Sequence, residues 1–251
     1  MTFSAELPFK KIFLYFDTRI QNVNASNLRK YLREKTGRKV FLRENFFDHK
    51  FTDGLPKKVA QTKVRDKSRR KFHSPLPKEI ELESKIIKNQ KNIVGMIYDG
   101  RELVKIMRNL LEKEEKENHT IIMTKRLIGS LEINEARYHV RTLINSIPSV
   151  VSTSGIVEGP AKPRKYYFAD EDQKEDILDF EPMKQSDDRM EKAIKAYLLQ
   201  TIFWRLEGEP FCKKEGCPLF NSHWQKEVLK NQIKGELCEK HKKILSKFRR
   251  S

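Results

Sequence analysis

Short hydrophobic runs separated by amphipathic stripes predict an alternation of strands and helices. The chain opens with an aromatic and β-branched run at residues 11–16, which is typical of a buried strand. A helix is predicted to begin at the N-cap Ser26 and to end before Gly37. Residues 38–43 then alternate between polar and apolar side chains, as a second strand does. The opening segment is therefore predicted to form a β-α-β unit.

The following segments repeat this alternation of short strands and helices. Apolar stripes predict one helix after the N-cap Asp99 and a longer one over residues 189–206, which ends at Gly208. Further strands are predicted at residues 93–98, 120–124 and 138–144. The predicted fold class is α/β (α+β), with a mixed sheet packed on helices.

Charge is distributed along the chain in blocks. The 251 residues carry a formal net charge of +17, and residues 57–71 hold eight basic side chains with Asp66 as their only acid. Residues 170–188 hold nine acidic side chains against two lysines. Blocks of like charge are typical of solvated segments, so we predict a basic loop at 57–71 and a linker-like acidic block at 170–188. The alternative for residues 57–71 is the start of a nucleic-acid patch.

Composition excludes several classes of protein. Fifteen Phe and seven Tyr supply the side chains of a hydrophobic core, which an intrinsically disordered chain lacks. No apolar run approaches the roughly 18 residues of a membrane span. Residues 1–8 lack the basic and then apolar build of a signal peptide. Three cysteines without a secretory signal favour a reducing compartment, so we expect a cytoplasmic protein with no membrane partner.

The cysteines form the strongest chemical signal in the sequence. Four residues separate Cys212 from Cys217, and Cys238 precedes His241 by three positions. Two close pairs of sulfur and nitrogen donors are the pattern of a tetrahedral zinc site. A site filled by four protein ligands has no open position for a substrate, so we predict one structural zinc ion. His223, six residues after Cys217, is the alternative fourth ligand.

The residues around the cysteines resemble a known family of enzymes. Residues 208–222, which place a Cys-x4-Cys pair directly after a long helix, resemble the end of the archaemetzincin zinc peptidases. Four other segments are similar to an archaeal family of metallopeptidases: residues 64–66, 98–100, 137–139 and 147–164. The resemblance implies a metzincin-like α/β domain over residues 1–206 and a zinc-stapled helical tail over residues 207–251. It also implies a peptide or protein as the substrate.

The chain departs from the archaemetzincins at their catalytic residues. Those enzymes hold the catalytic zinc in a His-Glu-x-x-His-x-x-Gly-x-x-His motif, and no His-Glu pair occurs in this sequence. When Gly208 is aligned with the glycine of the motif, the three histidine positions hold Thr201, Arg205 and Phe211. The glutamate position holds Ile202. A catalytic zinc needs three protein ligands. We therefore expect either a peptidase scaffold that has lost this site or chemistry that lies elsewhere.

A second group of polar residues is the alternative place for chemistry. His139 lies on a predicted strand, and Ser152, Ser154 and Glu158 flank the turn residue Gly155. These residues are compatible with a Ser-His-acid relay or with a second metal or ligand pocket. They are also compatible with a turn whose serines cap backbone groups.

Two functions remain open at this stage. The first is a metallopeptidase-related protein that has a structural zinc and no His-Glu-x-x-His site. The alternative is a non-enzymatic zinc-containing module that binds nucleic acid or protein. The alternative is supported by the basic tail, because nine Lys and Arg outnumber three Glu after Trp224.

Overall fold

The computed structural model describes residues 8–71, 73–93, 95–170, 173–174 and 176–250. The strands of this part of the chain are β1 (Lys11–Phe16), β2 (Lys39–Arg43), β3 (Ile97–Asp99), β4 (His119–Thr124), β5 (Leu127–Glu132), β6 (Arg137–Arg141), β7 (Leu143–Ile144) and β8 (Ser149–Ser152). The α-helices are α1 (Ala25–Thr36), α2 (Phe46–His49), α3 (Leu55–Gln61), α4 (Pro77–Ile87), α5 (Gly100–Leu110), α6 (Lys113–Glu117), α7 (Thr153–Glu158), α8 (Met190–Glu207), α9 (Gln225–Val228) and α10 (Glu239–Arg250).

A central five-stranded sheet organises the molecule, in the order β2-β1-β4-β8-β7. β1 pairs in parallel with β2 and β4, and β4 pairs in parallel with β8. The edge strand β7 pairs antiparallel with β8. A smaller sheet has the order β3-β5-β6, in which β3 and β5 are parallel and β6 is antiparallel to β5. These mixed sheets, packed with helices, confirm the predicted α/β class.

Both faces of the central sheet are covered by helices. Successive side chains of a strand point to opposite faces, and β1 is hydrophobic on both. Ile12 and Leu14 join a core with side chains of α1, α8 and α10. Phe13 and Tyr15 join a second core with side chains of α3 and α5. Because both faces are buried, β1 appears in the sequence as a continuous apolar run and not as an alternating one.

The predicted β-α-β opening is confirmed, with one change at the helix start. β1, α1 and β2 lie where the sequence placed them, and the two strands are parallel. The N-cap is Asn24 and not Ser26, because the Asn24 side chain accepts a hydrogen bond from the backbone N–H of Ser26 at 2.9 Å. Gly37 ends the helix in the left-handed conformation, with φ of +70°. Asp99 caps α5 as predicted.

The prediction of a loop for all of residues 57–71 is wrong for its first part. Residues up to Gln61 belong to α3, because Leu55, Val59 and Ala60 form an apolar stripe that is buried between the lysines. Lys63 is only 8% exposed and its backbone bridges to Tyr98 on β3. Basic residues therefore alternate here with residues that the core requires.

Further differences concern the bounds and the number of the elements. The strand predicted at 93–98 is formed only from Ile97 onward, and Val94 lies outside the described residues. Neither α4 nor β5 was predicted from the sequence. The long helix predicted at 189–206 is α8, shifted by one residue, and it ends at Gly208 as predicted.

The acidic block at 170–188 forms neither helix nor strand in its described part, and it packs against the tail. Residues 171, 172 and 175 lie outside the described residues. Met183 is buried, and its backbone N–H donates to the Gln225 side chain at 2.9 Å. Asp179 is paired with Lys226, and Asp187 is paired with Arg189. The described part is therefore held by apolar and ionic contacts and is more than a solvated linker.

A fully buried ionic cluster joins α4 to both sheets. Arg126, in the turn between β4 and β5, places its guanidinium 2.5 Å from the Glu83 carboxylate, and both side chains are at most 1% exposed. Lys63 lies 3.1 Å from the other oxygen of Glu83, and the Tyr98 hydroxyl donates to that oxygen at 3.0 Å. Desolvating these charges is costly, so each depends on its partners.

No helix in the described part of the chain combines the length and the hydrophobicity that a bilayer crossing requires.

The buried cluster predicts an asymmetric effect of two substitutions on α4. Glu83→Gln leaves Arg126 and Lys63 without their buried counter-charge and should lower the free energy of unfolding by about 3 kcal/mol or more. Glu81→Gln removes an exposed pair with Lys85 and should change the free energy of unfolding far less, because solvent screens that pair. Urea denaturation of the two variants measures this difference, and equal stabilities would contradict it.

Candidate metal centre and adjoining cleft

Two segments of the tail bring four metal-ligating residues to one point. The first segment follows α8 and carries Cys212 and Cys217, and the second leads into α10 and carries Cys238 and His241. The three sulfur atoms and one imidazole nitrogen all lie within 4.8 Å of one another. The sequence pairs are therefore adjacent in space, as their spacing predicts.

The separations between the ligand atoms match a tetrahedral site. Cys212 Sγ lies 3.9 Å from Cys238 Sγ, and His241 Nδ1 lies 3.9 Å from Cys217 Sγ and 3.0 Å from Cys238 Sγ. Zinc–sulfur bonds of about 2.3 Å in tetrahedral geometry place two thiolates about 3.8 Å apart. The donors thus surround a space of the size that zinc fills.

Local backbone structure sets the first cysteine pair. Cys212 forms a bridge with Phe220, and its N–H donates to the carbonyl of Leu219 at 2.8 Å. The Lys214 N–H points at Cys212 Sγ at 3.3 Å, which is the kind of hydrogen bond that supports a thiolate. Gly216 turns the chain with φ of +82°, a conformation that favours glycine.

Close packing holds the second pair, Cys238 and His241, beside the first. The N–H of Gly216 donates to the Asn231 side chain at 2.6 Å, and the N–H of Glu236 donates to the carbonyl of Gly216 at 3.0 Å. A Cβ atom on Gly235 would lie 2.5 Å from the Gly216 oxygen, so only glycine fits there. Cys238 directly precedes α10, and its carbonyl accepts a hydrogen bond from the N–H of Lys242 in the first turn at 2.9 Å.

The protonation chemistry of the cluster favours a bound cation. Burial, together with the neighbouring sulfurs of Cys212 and Cys238, raises the pKa of the Cys217 thiol to about 11. Burial lowers the pKa of His241, which leaves its imidazole neutral and able to donate a lone pair. Three thiolates at these distances repel one another unless a metal neutralises them, so the donor set fits zinc.

His223 does not join the cluster. Its backbone carbonyl accepts a hydrogen bond from the N–H of Ala161 at 2.7 Å, and the residue lines a separate cleft. Of the two candidate fourth ligands, the structure therefore places only His241 beside the three cysteines.

The cleft lies between β6, α8 and the tail. It has a volume of about 340 Å³, and its lining includes His139, Val140, Tyr197, Gln200, His223 and Trp224. Trp224 is 49% exposed, so it offers an aromatic surface to a ligand. Burial raises the pKa of Tyr197, which keeps its hydroxyl protonated.

The sequence analysis did not identify Tyr197, Gln200 or Trp224 as cleft residues. Tyr197 and Gln200 are three positions apart on α8 and so share one face of the helix. That polar pair within an apolar stripe was the available signal. Its meaning depends on which strand the face meets, and the sequence does not contain that information.

The α8 residues at the positions of the peptidase motif do not face this cleft. Thr201 and Ile202 are completely buried, and the Thr201 hydroxyl lies 2.9 Å from His119 Nε2 on β4. Arg205 donates to the backbone carbonyl of Pro8 at 2.9 Å. In this register the helix uses these positions for its contact with the sheet.

The polar residues considered for a relay are not brought together. His139 lines the cleft, where its Nε2 lies 2.8 Å from Glu135. Ser152 caps α7, since its hydroxyl accepts from the N–H of Gly155 and donates to the carbonyl of Arg126 at 2.7 Å. Ser154 donates to the carbonyl of Lys125 at 2.7 Å.

Glu158 ends α7 with an exposed side chain. The cleft lining includes neither the two serines nor Glu158. Both serines therefore serve backbone groups, which matches the alternative of a capped turn.

Fold and site together define an α/β protein with a Cys3His cluster at its C-terminal end. A family model described as "Probable metallopeptidase family (DUF6775)" matches residues 8–248. Because the match spans nearly the whole chain, the protein belongs to this family.

Other comparisons add one similarity. The chain is similar to a solved zinc-dependent peptidase from Methanocorpusculum labreanum (strain Z), with 11% identity, 93% of this chain and 99% of that chain covered, and a TM-score of 0.41. At that level the likeness carries no weight for fold or function. No curated protein matches the chain.

The contact between α8 and β4 predicts a dependence of stability on pH. Burial lowers the pKa of His119 to about 3, whereas an unfolded histidine titrates near 6.5. Below the unfolded value the unfolded chain binds a proton that the native state excludes, so stability falls as the pH falls from about 6.5 to about 3. Between pH 7 and pH 5 this histidine should account for a loss of about 2 kcal/mol.

His119→Gln should remove that part of the pH dependence, because Gln does not titrate. The exposed residue His223 provides the matched control, and His223→Gln should leave the dependence unchanged. Urea denaturation at both pH values measures the free energy of unfolding for each protein. The same loss in wild type and in His119→Gln would contradict the assignment.

Proposed function

We propose that this member of the metallopeptidase family holds one structural zinc ion in its tail and binds an extended peptide in the cleft without zinc-dependent hydrolysis. The observation that carries the proposal is the closed donor set of Cys212, Cys217, Cys238 and His241. Within the described residues, no other group of three His, Cys, Asp or Glu side chains has ligand atoms close enough to hold a metal. A catalytic zinc needs three such ligands and an open position.

The zinc would act on folding. When bound, it supplies four bonds that join the segment after α8 to the start of α10. Cys212, Cys217 and Leu245 belong to the same core as α8 and the central sheet, so a fixed tail also completes that core. The ring of Phe203 on α8 meets the ring of His241 edge to face at 4.9 Å and orients this ligand.

The cleft has the features of a peptide site. β6 lies at the edge of its sheet. The Tyr138 N–H on this strand donates to the carbonyl of Lys67, but residues 139–141 line the cleft, and an edge strand there offers backbone groups to an added strand. The facing wall is aromatic, with Phe211 and Trp224 both partly exposed beside Tyr197. Backbone pairing on one side and aromatic contact on the other suit an extended peptide of relaxed sequence.

Metal content tests the structural role of the zinc. We expect one zinc per wild-type chain, because the described residues assemble one set of four ligands. Cys212→Ser and His241→Asn should each reduce the content towards zero, and the matched variant His223→Asn should keep it. Elemental analysis of the purified proteins measures these values. Two zinc ions per wild-type chain would contradict the proposal. Loss of zinc in His223→Asn, with zinc retained in the two cluster variants, would also contradict it.

Peptide binding and hydrolysis test the cleft. Labelled casein, an unstructured substrate, should bind wild type and remain uncut when zinc is present. Trp224→Ala should weaken binding about 5- to 30-fold, since a buried aromatic contact contributes roughly 1–2 kcal/mol. Phe168→Ala is the control, because Phe168 is 79% exposed and does not line the cleft. Cleavage that a chelator abolishes would overturn the non-hydrolytic assignment.

A further inference from the structure

We propose that the adjoining C-terminal ends of α1 and α10 form a binding surface for the phosphodiester backbone of duplex nucleic acid. The surface, here called the basic junction, consists of the exposed side chains of Arg33, Lys35, Lys247, Arg249 and Arg250. It lies apart from the peptide cleft and the metal cluster, and none of these residues lines either. It is independent of the proposed function.

Close packing brings the two helix ends together. A Cβ atom on Gly37, the C-cap of α1, would lie 3.1 Å from the backbone oxygen of Arg249 on α10. Arg38 donates to the carbonyl of Phe248 at 2.8 Å, and its guanidinium lies 4.4 Å from the centre of the Phe248 ring. The last turns of both helices, with their cations, therefore meet at one place on the surface.

The charge of the basic junction is not neutralised by neighbouring acids. Within the described part of the chain, its five cationic side chains take part in no ion pair. Glu34, the acid next to it on α1, lies 4.0 Å from Lys30.

The basic block at 57–71 differs in this respect. There Arg65, Arg69 and Arg70 are paired with Glu79, Asp66 and Asp99 respectively. With Lys63, which is paired with Glu83, four of the eight cations in the block are in ion pairs among the described residues, whereas none of the five at the junction is.

Stabilisation of the helix ends explains only part of this charge. A cation in the last turn of a helix interacts favourably with the terminal carbonyl groups, by roughly 0.3–1 kcal/mol. One or two cations per helix are sufficient for that effect. Five at one junction also repel one another, which destabilises the folded chain and favours the binding of an anion.

The surroundings of the junction define the chemistry of the anion. Among the described residues, none of the large hydrophobic side chains that are exposed belongs to α1 or α10. An anionic membrane surface usually takes apolar side chains as well as charges. Single-stranded nucleic acid takes aromatic side chains that stack on its bases. A surface of cations alone fits the regularly spaced phosphates of a duplex, with no reading of sequence.

Duplex binding tests this proposal. Fluorescence anisotropy measures the binding of a DNA duplex of about two helical turns at a series of salt concentrations. Neutralising four to five phosphates predicts a slope of log K against log salt of about −4 for wild type. The junction variant replaces Lys35, Lys247, Arg249 and Arg250 with Gln, which keeps the aliphatic stems. It should reduce the slope to near −1 or flatter and weaken binding at least ~30-fold at low salt.

The matched control carries the same change of charge elsewhere. It replaces the exposed residues Lys57, Lys58, Lys67 and Lys71 with Gln and should keep the wild-type slope and affinity. If the fourfold variant is less stable, the single substitutions Lys247→Gln and Arg250→Gln replace it in the test. Each should reduce the magnitude of the slope by about 1.

Three outcomes would overturn the proposal. One is a wild-type protein whose binding to the duplex does not depend on salt. Another is a control variant that weakens binding as much as the junction variant does. The third is binding to phosphatidylserine vesicles that the junction variant abolishes while duplex binding is retained, because the partner would then be a membrane surface.

Discussion

The packing of α8 on the central sheet is the contact on which the metal cluster and the cleft both depend. Thr201 meets the buried His119 of β4, and Ile194, Leu198 and Ile202 fill the core on that face. The same helix then reaches the tail, where Gln200 donates to the carbonyl of Pro218 at 3.1 Å and Phe203 contacts the His241 ring. A rigid helix packed along its length couples these positions, because interiors are too densely packed to let one move alone.

This arrangement separates the Cys3His cluster from the cleft. The metal-ligating groups lie beyond the C-terminal end of α8, in a tail built from tight turns and glycines. The cleft lies beside the middle of the helix, where Tyr197 and Gln200 face β6. Thr201 and Ile202 of α8 are buried, and the contact of Thr201 with His119 joins the helix to the sheet.

The charged side chains of the interior and of the surface differ in how they are paired. The interior holds its charges in closed sets, as with Glu83, Arg126 and Lys63, because a buried charge without a partner is costly. On the surface, the block at 57–71 is partly neutralised by nearby acids, whereas the junction of α1 and α10 is not. The net charge of +17 is therefore a sum over regions that nearby acids neutralise to different extents.

The sequence by itself determined the elements with strong local signals. The β1 run, the capping Asp99, the stop at Gly208 and the Cys-x4-Cys and Cys-x2-His spacings all act over a few neighbouring residues, so each was readable without a fold. Tertiary structure decided the rest. The fourth donor beside the cysteines, the roles of Ser152 and Ser154 as caps, and the burial of Lys63 depend on segments distant in the chain. A side chain's partners across such distances are set by packing, which local sequence does not encode.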